Sequence, residues 1–192
     1  MTAICEPGGR PRGAFYQSVL APHPTTPCEA VRSIAVRLTR TSPQDLELTY
    51  AVSGDLGGVR LPEPEASRRV EGLWRHTCFE VFVTPDPGPA YVELNFSSCG
   101  AWACYAFTRY REGRSAPEPF APPAIGVTPN AHDSPWVLTA VVRLEALRGG
   151  AAARVAVAAV LEDGGGRLSY WALRHAPGRP DFHHPEGFVW KI

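Results

Sequence analysis

The chain predicts an all-β fold, a single antiparallel β-sandwich. Three observations lead there. Apolar residues recur at every second position in several short runs, as in strands with one face buried. Gly and Pro, which number 18 and 20 among 192 residues, separate those runs. No window carries the 3.6-residue period of a long amphipathic helix. About nine to ten short strands in this arrangement read as a sandwich, not a bundle or an α/β fold.

Residues 1–13 hold Gly8, Gly9 and Pro11 and little to bury, and are expected to be loose. A first strand is expected over 15–20, stopped by Pro22-His23-Pro24. Ile34, Val36 and Leu38 then alternate with Ser33, Ala35, Arg37 and Thr39. After Ser42-Pro43, Leu46, Leu48, Tyr50 and Val52 alternate with Asp45, Glu47, Thr49 and Ala51, the cleanest period of two in the chain. Glycines 54, 57 and 58 turn it, and a loop with Pro62 and Pro64 follows.

The stretch 72–105, GLWRHTCFEVFVTPDPGPAYVELNFSSCGAWACY, is the centre of the chain. Strands are expected over 75–84 and 90–97, either side of the turn Pro85-Asp86-Pro87-Gly88-Pro89, with a third over 101–107 after Gly100. Side chains of a strand alternate between its faces. Phe79, Val81, Val83, Val92, Leu94 and Phe96 form one apolar face. His76, Cys78, Glu80, Tyr91, Glu93 and Asn95 then point the other way.

Residues 111–135 are rich in Pro and Gly and read as a long surface excursion with a short edge strand at 125–128. A strand over 136–144 and one helical turn at 145–147 follow. Residues 154–161 and 167–173 flank Asp163-Gly164-Gly165-Gly166, a hairpin signal. The tail 176–187 is loop-like, and 188–192 closes with a strand.

Composition excludes several classes. Lys+Arg and Asp+Glu both number 19, so no basic field points to nucleic acid or an anionic membrane. No apolar run approaches membrane-spanning length. The first residues lack the apolar core of a signal peptide, so a chain starting at Met1 is expected to be cytoplasmic. Five cysteines without such a signal predict reduced thiols, and the lack of a C-x-x-C pair argues against structural zinc. No nucleophile elbow, phosphate loop or dinucleotide fingerprint is present. The oligomeric state is not encoded in any pattern of the chain.

Several motifs together resemble a known group. They are Leu73-Trp74-Arg75-His76-Thr77-Cys78-Phe79-Glu80, Tyr91-x-Glu93-Leu94-Asn95-Phe96-Ser97 and Gly100-x-Trp102. Tyr170-Trp171-Ala172-Leu173 and Pro180-Asp181-Phe182-His183-His184-Pro185-x-Gly187-Phe188 complete the set. With these, the chain from about His23 onward resembles the DOMON-like bacterial proteins related to family-nine carbohydrate-binding modules. The resemblance implies an immunoglobulin-like or jelly-roll sandwich, in a superfamily whose members bind sugars or haem. The chain departs from that group at Ser98-Cys99, where Ser-Pro is usual before the glycine, and this bears on the shape of that loop.

Candidate site residues follow from the polar face. Glu80 and Glu93 lie on neighbouring expected strands. Such a pair can hydrogen-bond sugar hydroxyls, bind calcium or perform acid/base work on glycosides, and it can equally pair with Arg75, Arg109 or another cation. His76 and Asn95 share their face, while Cys78 reads as a buried small thiol. Among the five tryptophans, Trp74 and Trp171 are the expected stacking surfaces, and Trp136 and Trp190 are expected in the core. Asp181 and His183 in the tail can close the site or cap turns, and His184 is expected to point away from His183.

The expected function is non-catalytic binding of a carbohydrate or sugar-like small molecule by Trp74, His76, Glu80, Glu93, Asn95, Trp171, Asp181 and His183, without a cofactor. One alternative is haem, held by His76, His175, His183 or His184, since Met1 is the only methionine. The other is a small carbohydrate- or cell-wall-linked enzyme using Glu80 and Glu93.

Overall fold

A computed structural model describes residues 15–118, 120–131 and 134–192. The expectation for 1–13 lies outside the described residues. In chain order the strands are β1 (Phe15–Val19), β2 (Ala21–Pro22), β3 (Val31–Arg40), β4 (Asp45–Gly54), β5 (Arg68–Arg69), β6 (Cys78–Pro85) and β7 (Tyr91–Phe96). They continue with β8 (Ala101–Phe107), β9 (Ala124–Thr128), β10 (Trp136–Arg143), β11 (Ala153–Glu162), β12 (Leu168–Ala172) and β13 (Trp190–Lys191). The count exceeds the expected nine to ten because β2, β5 and β13 are two-residue edge pieces.

One sheet has the order β1-β3-β4-β10-β9. The other runs β2-β12-β11-β6-β7-β8-β5, with β13 added against β11. All pairings are antiparallel except β5 with β8. The fold is thus the expected all-β sandwich. The edge strand in the Pro-rich excursion is β9, and the helical turn after β10 is a 3-10 segment, Glu145–Gly150, broken by non-helical backbone at Arg148 and Gly149.

The first sheet behaves as its alternation demands. In β4, Leu46, Leu48, Tyr50 and Val52 are buried while their neighbours are half-exposed. They meet Ile34, Val36 and Leu38 of β3 and Trp136, Leu138, Ala140 and Val142 of β10. Across the gap stand Phe79, Val81, Val83, Leu94, Phe96, Val155, Val157 and Leu161. Burying each such side chain stabilises the fold by about 1.5–3 kcal/mol. Trp136 stacks on Phe79 with ring centroids 5.5 Å apart, in the core as expected. Trp190 is half-buried beside Tyr16.

The second sheet is buried on both faces. Every residue of β6 from Cys78 to Thr84 is buried, a run that in an antiparallel sheet means both sides are covered. Its outer face carries Phe82, Tyr91, Tyr105 and Phe107 among the small residues Ala103, Ala156, Ala158 and Ala172. Leu73 and the tail residues Phe182 and Phe188 pack onto them. The tail, joined by the start of the excursion at Arg111 and Arg114, therefore folds over the outer face and makes a cleft of it. The rest of the excursion runs to β9 in the first sheet.

The four described cysteines, Cys28, Cys78, Cys99 and Cys104, are free thiols. In the loop that departs from the DOMON-like pattern, the Ser98 hydroxyl donates to the Pro62 carbonyl at 2.6 Å and Cys99 is buried.

Candidate functional site

The site is built on the β6–β7 register. Glu80 lies opposite Asn95 and Phe82 opposite Glu93. On the flanks Ala158 of β11 faces Glu80, and Tyr105 of β8 faces Glu93. The parity that sends Phe79, Val81 and Leu94 into the core sends Cys78, Glu80, Glu93 and Asn95 out of it. All four are at least 96% buried nonetheless, because the tail covers them; their exposures are 0%, 2%, 4% and 0%.

Their hydrogen bonds form a short chain. The Cys78 thiol donates to Asn95 Oδ1 at 3.2 Å, and Asn95 Nδ2 donates to Glu93 Oε1 at 2.7 Å. Glu93 Oε2 is 3.7 Å from His183 Nε2, too far for a hydrogen bond. Glu80 Oε1 is buried and has no hydrogen-bond partner. The strand that carries Glu80 is fixed from behind, where the Tyr50 hydroxyl donates to the Glu80 main-chain carbonyl at 2.8 Å.

Glu80 and Glu93 form the floor of a cavity of about 410 Å³. Tyr105, Phe107, Tyr170 and Phe182 wall it, Trp74 stands at its mouth, and Arg111, Arg114 and His183 complete the lining. A second cavity of about 330 Å³ adjoins it across His183 and is lined by Tyr91, Tyr110, Arg154 and Phe188.

His183 is held in place by its neighbours. The Tyr91 hydroxyl accepts the Arg111 main-chain N–H at 3.1 Å and shares a hydrogen bond with His183 Nδ1 at 2.8 Å. Arg111 makes this contact from a left-handed backbone conformation, φ 57°, which a residue with a Cβ adopts at a cost. Its guanidinium binds Asp181 at 2.7 Å, and Tyr110 binds the same carboxylate. Asp181 also accepts the His183 main-chain N–H at 3.0 Å, so one carboxylate fastens both the excursion and the tail.

Burial sets the electrostatics. It pushes the Glu80 carboxyl well above the usual carboxylate range, and the adjacent Glu93 pushes it further. Burial raises Glu93 as well, against the Asn95 amide and the Arg114 and Arg111 charges. Burial, and then the Arg111 charge, bring the His183 imidazole down to about 4. Asp181 is the exception: burial works against its charge, yet Tyr110 and Arg111 outweigh it and hold its carboxyl low.

Six of the eight sequence-predicted residues gather here. Trp74, Glu80, Glu93 and His183 line the cavity, Asn95 stands behind Glu93, and Asp181 anchors the rim. Two do not, and both are corrections. Trp171 is not an aromatic wall. It lies opposite Ala159, 3% exposed in the inter-sheet core, and donates its indole N–H to Ser169 at 3.1 Å. His76 does not join Glu80. Gly72, at φ 77°, feeds a 3-10 turn, Leu73–Arg75, so His76 sits ahead of β6. Its exposed ring meets Glu162 at 2.7 Å, beside Arg60.

The expected cationic partners are also engaged elsewhere. The Arg75 guanidinium lies 5.0 Å from the Trp74 ring centre, and Arg109 pairs with Glu112. His183 points inward, while His184 accepts the Glu186 main-chain N–H and caps its own turn. The sequence reading missed Tyr105, Phe107, Arg111, Arg114, Tyr170 and Phe182. Alternation in β8 separates Trp102 and Cys104 from Tyr105 and Phe107, but only the β7–β8 register brings Tyr105 beside Glu93.

No protein-family model matches the chain, and no curated protein matches it. A solved structure does. The chain resembles a Bacteroides uniformis protein described as a "putative carbohydrate-binding protein", with a TM-score of 0.63 and 15% identity over 97% of this chain and 93% of that one. At that identity the likeness establishes a shared sandwich fold.

Proposed function

We propose that the protein binds a carbohydrate or sugar-like ligand in the outer-face cleft without turning it over. The observation that carries this reading is Glu80 Oε1, a buried polar atom with no partner, on the floor of an aromatic-walled cavity. A buried polar group left unpaired is costly, and a ligand that supplies the missing hydrogen bond recovers that loss. Sugars suit such a place, since their ring faces are apolar and their edges carry donors. The resemblance to DOMON-like proteins and the fold shared with a protein named for carbohydrate binding support the same class.

The carboxyl pair argues against glycoside hydrolysis. That chemistry needs one carboxyl ionised as nucleophile or base and the other protonated as acid. Here burial pushes both toward the neutral form. Haem is disfavoured by His183, the histidine that lines the cavity, because its Nδ1 is committed to Tyr91 and its Nε2 faces Glu93.

The test is a thermal-shift screen with mono- and oligosaccharides, haem and divalent metals. A binder of the folded state raises the melting temperature with its concentration. A saturable rise with a sugar, reduced in Glu80→Gln, is the expected result. A Soret band on haem addition with no response to sugars, or glycoside turnover that Glu80→Gln abolishes, would overturn the reading.

A further inference from the structure

A count of charges around the cavity leaves a remainder. Arg111 is paired with Asp181 at 2.7 Å, and Arg114 with Glu71 at 2.6 Å. Each rim arginine therefore already has its own carboxylate. Among the described residues, no Arg or Lys side chain donates a hydrogen bond to Glu80 or Glu93. Glu93 receives the neutral Asn95 amide, and Glu80 Oε1 receives nothing. Two carboxyls thus share a buried floor with no cation of their own.

We infer that the ligand of this cleft carries a primary ammonium group, as a hexosamine with a free amine does, and that Glu80 and Glu93 receive it. The inference rests on the sugar-binding reading and narrows it. An ammonium has three donors and no acceptor, which matches a floor of carboxyl oxygens. The walls fit as well. Tyr105, Phe107, Tyr170 and Phe182 offer aromatic faces, and a desolvated cation is attracted to such faces. One of those faces, Tyr105, is already used in this way: the Arg114 guanidinium lies 4.1 Å from its ring centre.

The exchange balances in protons. Without ligand, the buried pair is held toward its neutral form by burial and by mutual repulsion. The arriving ammonium supplies the missing positive charge, and a carboxyl proton leaves to solvent. No covalent bond forms. The other groups facing the pair are the Cys78 thiol, Tyr105, Tyr170, His183, Arg111 and Arg114, with Glu71 beyond Arg114 and Tyr50 behind the strand. Burial raises the Cys78 and Tyr50 hydrogens out of reach and keeps His183 neutral near pH 6, so the released proton comes from the carboxyl pair.

Calorimetric titration of the native protein tests this. Glucosamine, galactosamine and mannosamine are each compared with the matching neutral sugar and N-acetyl sugar, and cyclohexylamine serves as an ammonium without hydroxyls. The titrations are run at about pH 6, where the amines are protonated, in buffers of different ionisation enthalpy. For at least one epimer, the amine should bind about tenfold or more tightly than both neutral counterparts, with net proton release. Glu80→Gln should remove most of that preference and the proton release. If a neutral or N-acetyl sugar binds as tightly as every amine, the ammonium inference is wrong and the sugar reading stands. If cyclohexylamine equals the amino sugars and neutral sugars are silent, the ammonium site stands and the sugar reading falls. Failure of every compound to bind overturns both.

Discussion

His183 makes the stability of the tail depend on pH, and the size of the effect can be worked out. Its ring is packed among Phe107, Phe82 and Tyr91, with centroids 5.1, 5.2 and 5.8 Å away. Burial and the Arg111 charge move the imidazole from 6.5 to about 4. At about 1.4 kcal/mol for each pH unit between those values, the difference amounts to about 3 kcal/mol. The unfolded chain takes up this proton near 6.5, the folded one only near 4. Between those values the unfolded state holds more protons, so stability falls as the pH falls. His183→Gln removes the titration and leaves a side-chain amide, which can donate or accept, for the Tyr91 hydroxyl. Urea denaturation of both proteins across this range gives the difference in unfolding free energy, and the subtraction cancels groups common to both. The advantage of the native protein over the variant should shrink by about 3 kcal/mol between neutrality and pH 4. A difference that stays constant within about 0.5 kcal/mol would show that His183 is not buried as a neutral ring.

Three further results are expected. Glu80→Gln should act with the opposite sign: the native carboxyl is raised, so ionisation costs stability as the pH climbs above 4.5, and the variant should gain on the native protein by up to about 1.4 kcal/mol per pH unit there. A flat difference in the same denaturation series would refute it. Trp171→Ala should cost about 3–5 kcal/mol of stability, while Trp74→Ala, at the cavity mouth, should cost under about 1 kcal/mol and weaken sugar binding instead. Equilibrium unfolding of the two variants checks this, and the reverse order would move both rings. Alkylation followed by peptide mapping should modify half-buried Cys28 well before Cys78 or Cys104, whose thiol burial raises to about 12, and reductant should leave the melting temperature unchanged. Early labelling of Cys104 would contradict its place in the core.

The sheets and the cleft floor were legible because both rest on strand parity. Once Phe79, Val81 and Leu94 point inward, Glu80, Glu93 and Asn95 have no other direction to take. Parity failed in β12, where the polar marker points the wrong way. Ser169 shares the face of Trp171, yet that face is the core, where the serine accepts the indole N–H, and half-buried Tyr170 is the ring on the cleft side. His76 was lost to a backbone event: a left-handed Gly72 starts a turn that keeps the strand from reaching back to it. The rim was out of reach for a different reason. Arg111, Arg114 and Phe182 arrive on irregular chain, whose path over the sheet is set by tertiary contacts such as the Asp181 bonds to Tyr110 and Arg111.

The bond from Tyr50 to the Glu80 carbonyl separates the cleft into a floor tied to both sheets and a rim that is not. Its donor sits on the far sheet, so the floor is indexed to the whole sandwich and a substitution that shifts it disturbs both sheets at once. The rim hangs on two segments that belong to neither sheet, and insertions or exchanges there leave the sandwich intact. The size and outline of the cleft can therefore be changed at the rim without moving the floor. The spacing of Glu80 and Glu93 changes only with the sandwich that carries them.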